Sequence, residues 1–217
     1  MSKLKFSVTM SLDGYVAGPA ATLEEPLGAG GEQLHEWLFR NASWRARHGL
    51  DGGDATDADN GIVDASVEAT GAYVMGRKMF SGGEGPWESD PNPRGWWGDD
   101  PPFHLPVFVL THHERDPLAL QGGTTFTFVT GGIESALEQA RSAAADRDVL
   151  IAGGADVARQ AVVAALVDEL TVHVAPLLLG DGVRLFDSFD APIELSPADV
   201  ANGPIAAHLT YRIGGHR

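Results

Sequence analysis

The sequence predicts an α/β fold: a central, mostly parallel sheet with an antiparallel C-terminal edge and flanking helices. Three observations carry this. Short apolar runs alternate with segments of helical periodicity through the middle of the chain, the pattern of strand–helix–strand crossovers. Glycines stand where several of those runs give way to helices. The last two strand-like segments have no long helix between them, so they form an antiparallel pair.

Residues 5–10 (KFSVTM) place Phe6, Val8 and Met10 at strand spacing, and residues 11–18 follow as a turn-rich loop. Residues 19–32 are rich in Gly, Pro and Ala and read as loop. Leu34, Trp37, Leu38 and Trp44 form one apolar stripe compatible with a helix. Residues 49–60 are acidic, Gly-rich and aperiodic, and read as an exposed loop insertion. A helix over about 62–70 leads to a strand at 72–75, and Gly76 opens a strand-to-helix corner. Residues 81–105 hold five glycines, five prolines and three tryptophans. Long insertions of this kind are often lids, and this one reads as a lid or an interface. Strands follow at 106–110 and 125–129. A helix has Ile133, Leu137, Ala140 and Ala144 on one face. Val149–Ile151 is a short buried strand, and helical spacing resumes from Asp156. Alternation at 170–175 and 209–213 gives the final pair.

The 217 residues, 43% of them hydrophobic, suit a single domain over 1–217. No apolar run spans a membrane. No signal-peptide pattern precedes the first strand, and there are no cysteines, so a cytoplasmic protein is expected. A net charge of −15 argues against a nucleic-acid partner. It also means that an anionic ligand needs helix N-termini and locally placed cations.

Three corners fall at the carboxyl ends of predicted parallel strands, where such sheets bind ligands: Gly76-Arg77-Lys78, Thr111-His112-His113 and Gly153-Gly154. Gly76 admits a phosphate, and Arg77 and Lys78 bring charge to a helix start. Gly153 and Gly154 offer a second helix N-terminus to a pyrophosphate, or form a tight turn only. Thr111 and His112 suit an adenosine phosphate. The GxGxxG fingerprint is absent.

Taken in order, Met10–Gly14 (MSLDG), Val74–Lys78 (VMGRK), Val107–Thr111 (VFVLT), Ile151–Ala155 (IAGGA), Leu166–Leu170 (LVDEL) and Pro176–Gly182 (PLLLGDG) with Leu185-Phe186 resemble the dihydrofolate reductase-like superfamily. Within it the chain is most similar to the C-terminal reductase domain of bifunctional riboflavin-biosynthesis deaminase-reductases and its stand-alone relatives. The resemblance implies a three-layer fold, NADPH as cofactor and a homodimer. It also implies cofactor contacts at Gly76, Arg77, Lys78 and Met79, at Thr111 and His112, and at Gly153, Gly154, Ala155, Asp156 and Val157. Thr9, Val16 and Ala17 would flank the nicotinamide. The family often has an arginine where this chain has His112 and His113, which bears on NADPH against NADH.

Three residues are candidates for catalysis. Asp13 follows the first strand, as a pocket carboxylate or an Asp-Gly turn. Glu36 is the counterpart of the pterin-binding acid of dihydrofolate reductases, or an exposed first-turn glutamate. His173 is a proton relay facing the substrate, or a core histidine. His35 and Trp37 are candidate substrate contacts. No metal is expected: His112 and His113 are adjacent, and Asp51, Asp54, Asp57 and Asp59 lack EF-hand spacing. With no cysteine pair there is no zinc deaminase signature. The expected activity is NADPH-dependent reduction of a small heterocyclic or carbonyl compound. Dihydrofolate or pterin reduction and a non-catalytic NADPH-binding role stay open.

Overall fold

The computed structural model describes residues 2–55, 58–187 and 189–214. Its elements in chain order are β1 (Leu4–Ser11), β2 (Tyr15–Ala17), a 3-10 turn (Gly31–His35), α1 (Glu36–Phe39), α2 (Ala42–Arg47) and α3 (Ala58–Ala69). There follow β3 (Thr70–Gly76), α4 (Arg77–Ser81), β4 (Pro106–Leu110), β5 (Leu118–Ala119), β6 (Thr125–Val129), α5 (Gly132–Ala144), β7 (Asp148–Gly153) and α6 (Ala155–Val163). The chain closes with β8 (Glu169–Ala175), β9 (Val183–Arg184), β10 (Leu195–Asn202) and β11 (Ala207–Ile213). The sheet is mixed and mostly parallel, with antiparallel strands at its edges.

The packing divides into two compact units. The first comprises the chain through Phe6 and Thr70–Val167. Its strand order is β1-β7-β3-β4-β6-β5, parallel except for the β5–β6 pair. β3 is buried along nearly its whole length, as a central parallel strand covered on both faces must be. α5 turns Ala136, Leu137, Ala140 and Ala144 inward, the i, i+1, i+4, i+8 stripe of an amphipathic helix. A core of Tyr73, Met75, Phe80, Val107, Val109, Phe126 and Phe128 has Met79, Trp87, Trp97 and Phe103 packed against it.

The 81–105 segment is part of that core. Trp87 Nε1 donates to the His113 carbonyl and Trp96 Nε1 to the Met79 carbonyl, each at 2.9 Å. Trp97 packs edge-on to Phe103 at 4.8 Å. Asp90, its side chain fully buried, forms an ion pair with the nearly buried Arg77. Arg77 also donates from Nε to Ser81 Oγ at 3.0 Å and lies over the Trp87 ring.

The second unit comprises Ser7–Ala69 and the chain from Asp168 on. The later residues of β1 begin the order β1-β8-β11-β10, in which β8–β11 and β11–β10 are antiparallel. β2 and β9 form a separate small antiparallel ribbon.

Three expectations need correcting here. The Leu34–Trp44 stripe is not one helix. Asn41 takes an extended backbone (φ −71°, ψ 126°) and accepts the Trp44 N–H on its side chain, which ends one short segment and caps the next. The 49–60 stretch is not all exposed loop: α3 begins at Ala58, and Asp59 and Asn60 are buried. Thr56 and Asp57 lie outside the described residues, and with them the reading of Asp57. Last, the antiparallel edge has a further strand, β10, whose Pro197 sits at a bulge against β11.

Removing the Asp90 charge leaves the Arg77 guanidinium buried and uncompensated. Asp90→Asn is expected to lower stability by about 3–5 kcal/mol in urea unfolding. A loss below 1 kcal/mol shows that the 81–105 segment is held by its aromatic contacts alone.

Candidate functional site

In the first unit, β3 ends at Gly76 and β7 at Gly153, and their backbones come close beyond the strand ends. Gly154 has φ 87° and ψ 106°. A Cβ built on it would first meet Gly76 N at 3.6 Å, so a side chain there would fill the space between the two glycines. Gly153 is tighter, because a Cβ would meet Met79 Sδ at 2.7 Å. Gly154 is exposed, and no side chain caps the α6 N-terminus behind it. The turn is therefore both tight and open, with uncapped helix amides at its edge. Asp156 is exposed in the first turn of α6 and pairs with Arg159, while Val157 is buried below.

The neighbouring cations are disposed unequally. Arg77 is turned inward to Asp90. Lys78 is two-thirds exposed and pairs with Glu84, whose hydrogen bond raises the lysine pKa. Thr111 is buried and its hydroxyl accepts the His113 N–H at 3.2 Å, closing a turn on which His112 is exposed. Past it, Arg115 lies over Trp87 and Phe128, its pKa lowered by burial and then by Arg77. An open hollow of about 510 Å³ is lined by Glu114, Arg115, Asp116, Phe128 and Thr130. Sequence reading passed over most of these residues, because charged residues after a strand look like any exposed loop.

In the second unit, Asp13 accepts the backbone N–H groups of Leu179 (3.1 Å) and Gly180 (2.7 Å), one on each oxygen. The Ser11 hydroxyl and these amides hold its carboxyl below the ordinary value. Asp13 therefore shapes the 179–182 turn. Val16 and Ala17 are half-buried on β2. Glu36 is exposed. His35 is half-buried and stacked on Phe39, its pKa lowered by burial.

The remaining candidates converge. Trp37 is buried, donates from Nε1 to Thr9 Oγ1 at 3.1 Å, and packs on His173 at 4.6 Å. His173 is only 5% exposed. Its Nε2 meets Ser7 Oγ at 2.8 Å, and its Nδ1 meets His208 Nδ1 at 2.7 Å. His208 Nε2 in turn meets Asp59 Oδ1 at 2.7 Å. Ser7 and His208 were not among the sequence candidates, and Asp59 was weighed only as a calcium ligand. Ser7 and Thr9 on β1 and His208 and Thr210 on β11 fall on the polar half of the strand alternation, where burial is not expected, so the sequence carried no signal for them.

The profile of the RibD C-terminal domain matches residues 2–202. The chain belongs to the RibD C-terminal domain family. No curated protein matches it. Among solved structures, a candidate riboflavin biosynthesis protein of Shewanella sp. PV-4 superposes with a TM-score of 0.60 at 20% identity, covering 98% of this chain and 99% of that one. The Thermotoga maritima diaminohydroxyphosphoribosylaminopyrimidine deaminase/5-amino-6-(5-phosphoribosylamino)uracil reductase gives 0.56 at 14% identity, over 98% of this chain and 57% of that one. A pyrimidine reductase-like protein of Corynebacterium diphtheriae gives 0.50 at 14%, covering 99% and 93%. At these identities the likeness is one of fold. The RibD C-terminal domain assignment confirms the resemblance read from MSLDG, VMGRK and IAGGA.

The burial of His173 in this RibD-like domain has a measurable consequence. Burial, then the neighbouring His208 and His35, lowers its pKa from 6.5 to about 3. Between those values the unfolded chain binds a proton that the folded chain refuses. This share of stability is intact above pH 6.5 and is lost as pH falls toward 3. In His173→Gln, urea unfolding followed across that window is expected to show a shallower pH slope, by up to about tenfold in the unfolding constant per pH unit. A slope equal to wild type rules out His173 as the source.

Proposed function

We propose that this chain is an NADPH-dependent reductase of a small heterocyclic or carbonyl compound, similar in reaction to 5-amino-6-(5-phosphoribosylamino)uracil reductases. The observation that carries the reading is the Gly76/Gly153-Gly154 ledge. Two glycine backbones face each other beside an uncapped helix start, and a single Cβ on Gly154 would fill the gap. A pyrophosphate needs that kind of backbone approach. Gly76, Gly153, Gly154, Ala155, Asp156 and Val157 would hold it, with Met79 beneath Gly153 and Lys78 as the exposed cation. Arg77 would support the corner as a packed ion pair. Thr111 and His112 would take the adenosine end, with Arg115 nearby. Thr9, Val16 and Ala17 would flank the nicotinamide. When bound, the cofactor supplies the hydride; the chain's own residues orient it, exclude water and handle the proton.

His35 and Trp37 are proposed to bound the substrate side. Asp13, with both oxygens on backbone amides, would set the 179–182 turn against it. Exposure of Glu36 removes the pocket carboxylate that dihydrofolate or pterin reduction asks of this position, so we favour the pyrimidine-type acceptor. A cytoplasmic homodimer belongs to the same reading.

Titration with NADPH, followed by fluorescence or calorimetry, tests it. Wild type is expected to bind at micromolar or better, and Gly154→Asp at least about tenfold more weakly with its circular dichroism unchanged. If wild type binds neither NADPH nor NADH, the ledge is a turn and the reductase reading fails. Binding without turnover on carbonyl and aminopyrimidine acceptors would leave a cofactor-binding protein without a reaction.

A further inference from the structure

The second unit contains an unbroken hydrogen-bonded chain of four side chains from four elements: Ser7 on β1, His173 on β8, His208 on β11 and Asp59 on α3. The links measure 2.8, 2.7 and 2.7 Å. His173 and His208 are register partners on adjacent antiparallel strands, with Thr171 and Thr210 paired beside them at 3.0 Å. Trp37 lies against both imidazoles, 4.6 and 5.1 Å away. Asp59, His208 and His173 are 2%, 3% and 5% exposed; Ser7 alone is half-buried.

The fold is shaped around the carboxylate. A Cβ on Gly203, which follows β10, would fall 1.4 Å from Asp59 Oδ1. Stability alone does not account for such an arrangement, since buried ionisable groups exchanged for packed apolar side chains are often neutral or stabilising.

With His173 kept neutral by its burial, the donor–acceptor logic leaves two proton arrangements. A carboxylate cannot donate, so His208 Nε2 carries a proton in both. One proton lies between the two Nδ1 atoms. If it belongs to His173, His173 Nε2 is bare and the Ser7 hydroxyl donates inward. If His208 is the imidazolium, its Nδ1–H donates to His173, His173 Nε2–H donates to Ser7, and the Ser7 O–H is free to point outward. One extra proton held on His208 thus reverses the whole chain.

We propose that Asp59, His208 and His173 form a proton relay and that Ser7 is its delivery end, protonating the heteroatom of the acceptor that is reduced. This rests on the reductase reading. The bound dinucleotide would supply a hydride to the acceptor carbon, leaving the π electrons of its C=O or C=N on the heteroatom. That atom takes the Ser7 proton. Ser7 takes the Nε2 proton of His173, and His173 Nδ1 takes the Nδ1 proton of His208. The imidazolium becomes neutral while keeping Nε2–H on Asp59. After product leaves, a proton taken from solvent at the Ser7 hydroxyl runs the same transfers in reverse and restores the imidazolium at His208. Ser7 is the catalytic residue; Asp59, His208 and His173 are positioning and relay residues.

The first test needs no turnover. In ¹⁵N-histidine NMR of the full chain, coupling across a hydrogen bond between the two Nδ1 atoms is expected, and Asp59→Asn is expected to redistribute the protons on both rings. Rings that keep their tautomers in Asp59→Asn overturn the relay. The second test uses NADPH with 5-amino-6-(5-phosphoribosylamino)uracil as acceptor. Ser7→Ala is expected to lower kcat about 100-fold with KM and NADPH affinity unchanged, and Ser7→Thr to restore it. Ser7→Ala at wild-type kcat overturns the delivery role and leaves the reductase reading standing. Wild type that binds NADPH but reduces neither this nor a panel of carbonyl acceptors overturns both.

Discussion

The first unit depends on one buried charge being answered. Arg77 begins α4 where an anion site wants a cation, yet its guanidinium is spent on Asp90, Ser81 and the face of Trp87. That pairing draws residues 81–105 onto the core, and the tryptophans complete it through backbone carbonyls. What looks in sequence like an excursion is a wall. In the proposed cofactor site, the pairing would leave the holding of an anion to backbone: two glycines and the start of α6. In a chain with net charge −15 such a division would be economical, because helix amides can attract a phosphate without adding a cation that acidic neighbours would neutralise.

The second unit solves a different problem. Its sheet presents hydroxyls and imidazoles where aliphatic residues would ordinarily pack, and each must find a partner. Thr9 takes the Trp37 N–H, Thr171 and Thr210 take each other, and the histidines link Ser7 to Asp59. Such a network fixes side-chain orientation more firmly than apolar packing does, since a hydrogen bond has direction and dispersion does not.

How much of this could be read in the sequence follows from the range of the interactions involved. β4 and β6 were legible residue for residue because continuous apolar and β-branched runs speak for themselves. The glycine corners were legible because an allowed backbone conformation is a local property. β10 was not: Leu-Ser-Pro-Ala-Asp-Val-Ala-Asn has no clear alternation, and the strand is exposed almost throughout. The break at Asn41 was hidden because its capping competes with a good apolar stripe. Glu36 drew attention as the acid of an expected helix, but that stripe breaks at Asn41 and Glu36 is exposed, whereas the buried acid Asp59 falls in a stretch that reads as loop. Asp59 meets His208 across 149 residues, and nothing local marks either one. Arg77 was legible as a cation and not as a neutralised one, since its partner lies in the aperiodic loop.

The Cβ that Gly203 lacks occupies the same space as the Asp59 carboxylate. The two positions therefore cannot vary independently. A relative with a side chain at the position of Gly203 must have lost the acid at the position of Asp59, turned its carboxylate away from His208, or shifted one of the two backbones. Across an alignment they should change together, so a glycine after β10 serves as a sequence marker for a carboxylate on a distant helix.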